Sequence, residues 1–112
     1  MTPAPTLQGL LTALGEARDE VSARPAPGAS DASSRATEWS VDGRTFATLD
    51  QAGTTVDLRL DPAVARAATR TPDTTPSKRG PEWVRFAPVL LDDPAIDRLE
   101  AWFAFAARHA AE

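Results

Sequence analysis

Side chains able to do chemistry are few in this chain of 112 residues, and their types narrow the chemistry at once. Cysteine is absent, which removes disulfides, thiolate metal sites and a cysteine nucleophile together. His109 is the one histidine, and it stands near the end of a helical pattern, where a favourable contact with the helix dipole explains it. A transition-metal site would have to be built from carboxylates. The adjacent pair Asp92-Asp93 precedes Pro94, where a helix cap is expected rather than a paired acid and base. There is no phosphate-binding glycine loop, no G-x-S-x-G turn and no H-E-x-x-H helix. No catalytic residue, cofactor or metal ligand is therefore expected, and a small enzyme working through scattered polar residues is the least supported class.

Basic side chains offer more. The net charge of −4 argues against a role dominated by phosphate contacts, since domains of that kind are usually basic. The charge is unevenly spread, however: residues 44–86 carry seven basic side chains against five acidic ones, and the stretches on either side are acidic. Lys78 and Arg79 stand in a loop whose backbone N–H groups near Gly80 suit a phosphate or carboxylate. Arg44, Arg59 and Arg85 fall at strand positions from which a side chain can leave a sheet. Trp83 beside them is a candidate stacking platform for a base, against the plainer reading of partly buried packing. Arg44, Arg59, Lys78, Arg79, Trp83 and Arg85 are thus the candidate ligand-binding residues; the five basic ones form one patch only if the strand faces carrying Arg44, Arg59 and Arg85 point the same way, and a solvated turn is the plainer reading of the loop.

A sheet must position them. Residues 39–60 read as three consecutive antiparallel strands. Trp39 and Val41 alternate with Ser40, and Asp42-Gly43 supplies the positive backbone angles of a two-residue hairpin turn. Arg44 to Leu49 returns as the second strand. After a looser turn over Asp50 to Gly53, Val56, Leu58 and Leu60 point one way while Asp57 and Arg59 point the other.

Amphipathic segments are available to cover the dry face. Thr6 is a plausible cap for a first helix whose apolar stripe runs Leu7, Leu10, Leu11, Leu14, Ala17 and Val21. Gly9 and Gly15 within it each cost about 1 kcal/mol relative to Ala, so tertiary packing must hold this helix. Residues 22–35, rich in Ser, Ala, Pro and Gly, read as an exposed connection. Asp61-Pro62 and Asp93-Pro94 each look like a cap followed by proline at the first helical position. Between the helices that they open, residues 71–82 read as a loop, Trp83 to Ala87 as a fourth strand and Val89 to Leu91 as a short fifth. The last helix carries Ile96, Leu99, Trp102, Phe103, Ala106 and Ala110 on one stripe.

The expectation is one α+β domain over residues 1–112, with a flexible lead at 1–5. It is two-layered, with an antiparallel sheet of four or five strands covered by N- and C-terminal helices in the order α-β-β-β-α-β(β)-α. Apolar residues at 42% and charged residues at 25% fit a globular domain. The first twenty residues make a poor signal peptide, and no apolar run approaches the roughly 20 residues of a membrane helix. A cytoplasmic protein, monomeric or weakly dimeric and without a membrane partner, is expected.

At Gly43 to Leu49, Val56 to Pro62 and Ser77 to Trp83, in that order, the chain resembles the MmcQ/YjbR family of small bacterial proteins. Gly43-Arg44, Phe46, Arg59, Asp61-Pro62, Lys78 and Trp83 stand where members carry a glycine and basic residue before phenylalanine, a strand ending in a basic residue and aspartate-proline, and a lysine-bearing loop before tryptophan. The resemblance covers about residues 36–110. It implies a two-layer α+β fold like that of secretion chaperones, a label of DNA binding drawn by analogy with winged transcription factors, and no catalytic constellation. The acidic balance and the long connection before Trp39 depart from the family pattern. The strand pattern and the late W-x-x-F also resemble the small luciferase-like domains of bacteria, without implying light emission. The function expected is a non-catalytic binding module for DNA or another anionic ligand, with a protein-interaction domain as the alternative.

Overall fold

A computed structural model of the chain describes residues 4–26 and 35–112. Most of the lead and of the connection read from the sequence, residues 1–3 and 27–34, lie outside the described residues. Three helices and six strands follow in the order α1 (Leu7–Glu16), β1 (Val21–Pro25), β2 (Thr37–Val41), β3 (Arg44–Leu49), β4 (Val56–Arg59), α2 (Pro62–Ala68), β5 (Thr74–Pro76), β6 (Trp83–Phe86) and α3 (Asp93–Ala111). The strands form one antiparallel sheet in the order β1-β2-β3-β4-β6-β5.

The α+β class and the flanking helices are as the patterning predicts. The hairpin between β2 and β3 turns on Asp42 and Gly43, both at positive φ (52° and 79°). The second turn is held by Asp50, whose carboxylate accepts from the backbone N–H of Thr54 and Thr55 at 2.8 and 3.1 Å. Thr6 and Asp61 cap α1 and α2 as expected, accepting from Gly9 N and Ala63 N.

Three expectations change. The first helix ends at Glu16, and Val21 does not continue its stripe but opens β1, opposite Val41, so the start of the connection read over 22–35 is an edge strand and the sheet has six strands in place of four or five. The loop read over 71–82 contains β5, while Val89 to Leu91 pair with nothing as a strand. The third concerns the cap of α3, which is Asp92 and not Asp93: the Asp92 side chain accepts from Ala95 N at 3.0 Å. Asp93 sits in the first turn, where its charge interacts favourably with the helix dipole. Asp92→Ala is accordingly expected to cost about 0.5–2 kcal/mol, and Asp93→Ala about 0.3–1 kcal/mol. Denaturant unfolding of the two variants checks the order, and the reverse order would return the cap to Asp93.

Both sheet edges are blunted by proline. Ala26 N donates to Ala36 O, so in the alternating ladder Ser22 and Arg24 also face β2 while Ala23 and Pro25 point outward. At the other edge Ser77 N donates to Trp83 O, which leaves Pro76 facing out of the sheet. A proline in that position forfeits no ladder bond and offers no donor to a stray strand.

The core lies between one sheet face and the helices. Trp39 is the joint: Phe103 of α3 meets it edge-on at 6.4 Å, and Gly15 of α1 lies against its indole so closely that a Cβ there would stand 2.9 Å from the ring. Both long helices therefore cover the same face, and Gly15 is where α1 needs no side chain at all. Phe46 completes the cluster, 5.2 Å from Phe103 at 75°. Leu58, Val84 and Phe86 are fully buried on that face, so Asp57, Arg59, Trp83 and Arg85, alternating with them, share the other face, which no helix among the described residues covers.

Candidate anion-binding site

Asp57 sits in the middle of the uncovered face, opposite Thr48 on β3 and Arg85 on β6. Its side chain is only 8% exposed, although no helix lies over it, because two arginines do. Arg79 reaches in from the β5–β6 loop and donates Nε to Oδ2 at 3.0 Å. Arg85 donates Nε to Oδ1 at 3.1 Å and Nη2 to Oδ2 at 3.5 Å. The two guanidinium groups themselves are half exposed. Both Nη groups of Arg79 and Nη1 of Arg85 make no protein hydrogen bond among the described residues.

The loop geometry that brings Arg79 here is local. Ser77 Oγ accepts from Arg79 N at 3.2 Å, and Trp83 N donates to Gly80 O, closing a tight hairpin over Ser77 to Trp83. Gly80, at a φ of 154°, is the position of that hairpin that an L side chain rarely adopts. The Arg79 guanidinium then lies 5.5 Å from the Trp83 ring centroid, a cation–π contact that steadies it. Thr48, Leu49, Asp50, Thr55, Asp57, Arg79 and Arg85 enclose a polar cavity of about 240 Å3. The hydrogen bonds that Arg85 donates to Asp57 hold it above the ordinary arginine value; the Asp57 charge reinforces this, burial opposes it, and Asp50 adds a weaker attraction.

The six residues singled out in the sequence do not form one patch. Arg79, Trp83 and Arg85 come together, and Arg59, opposite Trp83 in register, lies beside them. Arg59 is engaged, however, donating Nε to Glu82 at 2.9 Å. Lys78 is exposed in the same hairpin loop. Arg44 belongs elsewhere. It stands opposite Val41 on the helix-covered face, where Nη1 donates to the carbonyls of Ala110 and Glu112 and closes the C-terminus of α3. That face change has a cause. The β2–β3 register slips at Trp39/Ser40, placing Trp39 opposite Ala47 but Ser40 opposite Thr45, so the extra residue Phe46 reverses the side on which Arg44 emerges.

Sequence reasoning missed the carboxylates that answer these arginines. Asp57 was readable as the polar position between Val56 and Leu58, and Arg85 as its counterpart between Val84 and Phe86; the pairing of β4 with β6 makes them partners. Glu82 links Arg59 to His109, whose Nε2 lies 3.8 Å from Oε2, with Glu112 3.7 Å from Nδ1 on the other side. His109 is thereby placed on α3 at one end of the sheet and does not line the Asp57 cavity. Among the described residues no group of three or more His, Asp or Glu side chains is placed to hold a metal ion, and no helix is long and apolar enough to cross a membrane. Compared with protein-family models, curated proteins and solved structures, the chain matches none.

Proposed function

We propose that this chain is a non-catalytic binding module of the cytoplasm that receives the anionic group of a ligand on its uncovered sheet face, at Arg79 and Arg85. The observation that carries this reading is the pair of half-exposed guanidinium groups oriented by one sheltered carboxylate, with free Nη donors beside a concave polar cavity. A carboxylate behind two arginines fixes their geometry before a ligand arrives, which lowers the ordering cost of binding. Trp83 supports Arg79 from below, and Lys78 adds charge at the rim. Arg44 drops out of the site, and Arg59 is taken up by Glu82. The resemblance to the MmcQ/YjbR family agrees with such a module, since Arg59, Lys78 and Trp83 are among the residues that carry it.

Nucleic acid is the first ligand to test, by titrating labelled duplex and single-stranded DNA at two salt concentrations with the wild type and a Lys78→Ala, Arg79→Ala double variant. With Asp57 and Glu82 already answering three of the arginines, binding is expected to be weak and to lose strength steeply with salt, in proportion to the phosphates contacted. The double variant should bind more weakly still. If neither DNA nor small anions perturb the Arg79 and Arg85 side-chain signals in a nuclear magnetic resonance titration, the reading is overturned.

A protein-interaction domain is the second reading, and one observation favours it. Val89 and Leu90 after β6 are 92% and 68% exposed, beside a shallow groove that Pro5, Leu7 and Pro88 also line. Binding through that surface would be insensitive to salt and to Arg79.

A further inference from the structure

The Asp57 cavity carries a charge balance that selects among anions. Arg79 and Arg85 bring two positive charges to it, and Asp57 between them returns one negative charge. Asp50 lines the same cavity; its oxygens are turned onto Thr54 and Thr55, but its charge still acts on Arg85. Arg79, Arg85 and Asp57 together carry one net positive charge, which a ligand with one negative charge neutralises, and the more distant Asp50 leaves no surplus beyond that. A ligand with two overshoots it and meets two carboxylates at close range.

The donors that remain free point the same way. Asp57 occupies the Nε–Nη2 edge of Arg85 and the Nε of Arg79, so among the described residues the Nη1–Nη2 fork of Arg79 and Nη1 of Arg85 are the unpaired donors on the two arginines that line the cavity. A planar fork pairs bidentately with two coplanar oxygens. A phosphate has oxygens beyond the two that such a fork pairs, and its second negative charge adds to those of Asp57 and Asp50 already in the cavity. Thr48 and Thr55 add hydroxyls that make no side-chain hydrogen bond among the described residues, and they suit a polar substituent next to the anionic group. At about 240 Å3 and open to solvent, the cavity takes a compact group and leaves any longer chain outside it.

We propose that this cavity binds a single carboxylate group, that of a small organic acid or of a peptide C-terminus, in preference to a phosphate. The inference rests on the reading of Arg79 and Arg85 as an anion site and names the class of anion.

The test is a titration of 15N-labelled protein, followed through the Nε–Hε signals of Arg79 and Arg85 at constant ionic strength and pH 8. The probes are acetate, lactate, inorganic phosphate, adenosine monophosphate, and one tripeptide with a free or an amidated C-terminus. The carboxylates are expected to bind at least about tenfold more tightly than the two phosphates, the size of effect that one unfavourable charge makes at contact distance in a half-exposed site. Arg79→Gln should weaken carboxylate binding by at least about tenfold. Asp57→Asn, which adds one net positive charge, should reverse the preference toward phosphate. If that variant does not fold, Arg79→Gln and the wild-type ranking still decide the matter. A free tripeptide that binds more tightly than acetate or lactate assigns the carboxylate to a peptide terminus, and the opposite order assigns it to a small acid. Phosphate binding as tightly as carboxylate overturns this inference and leaves the anion site standing, whereas signals that respond to none of the probes overturn both.

Discussion

Phe103→Ala is expected to lower the stability of this domain by about 3–5 kcal/mol, the range for an aromatic side chain removed from a close-packed core. Phe103 is fully buried and is the residue through which α3 meets both β2 and β3, edge-on to Trp39 at 6.4 Å and to Phe46 at 5.2 Å. Its neighbours on the stripe are Leu99, Ala106, Ala107 and Ala110, and the alanines have no atoms with which to fill the void. The loss is a large share of the roughly 5–15 kcal/mol that holds a domain together. The measurement is urea unfolding, in which the midpoint falls while the slope is unchanged. Phe105→Ala is the comparison, because Phe105 is 40% exposed beside Trp102 and Arg108 and no core side chain closes over it, so it should cost well under the Phe103 loss, about 1 kcal/mol. A loss below about 1 kcal/mol at Phe103 would mean that α3 is not packed on the sheet as described.

The strands that the sequence declares are the ones that bury a face. β2, β3 and β4 were legible because Trp39, Val41, Val56, Leu58 and Leu60 alternate with polar residues and because Asp42-Gly43 has one economical conformation. β1 was not, since an edge strand of sequence V-S-A-R-P buries little; only Val21 is even half covered, and it falls in phase with the helix before it. β5 was hidden by Pro72 and Pro76, which argue against strand anywhere except at an edge with the nitrogen turned outward, the place that β5 occupies. Val89 to Leu91 erred the other way: an apolar run predicts burial, and Val89 and Leu90 are mostly exposed.

Half of the candidate site was legible for the same reason. Period-two alternation was enough to put Arg59, Trp83 and Arg85 on one face once β4 and β6 pair. Arg44 was lost to a single inserted residue, because a bulge cannot be seen in the alternation of one strand but only in its register against another. Charge counting along the chain also failed in a definite way. It recorded a basic middle and could not record that Asp57 and Glu82 stand against three of its arginines.

Removing both arginines from Asp57 is the second large effect expected, and it should exceed the sum of its parts. Arg79→Ala or Arg85→Ala alone leaves the carboxylate one cation and removes a pair whose basic partner is half exposed, so each should cost no more than about 0.5–1 kcal/mol after solvent screening. The double variant strips a carboxylate that is 8% exposed of every cation that contacts it. Loss of all partners at a deeply buried ion costs about 3–5 kcal/mol; here water can enter from the uncovered face, so about 2–3 kcal/mol is expected. The excess over the two single losses is then a coupling of about 1 kcal/mol, which urea unfolding of the four proteins in the cycle measures. Asp57→Asn added to the double variant should recover much of the loss, since a neutral amide no longer needs a cation. Strictly additive losses totalling under about 1 kcal/mol would show that Asp57 does not depend on the arginines. They would then be free surface charges, not a pair held in place for a ligand.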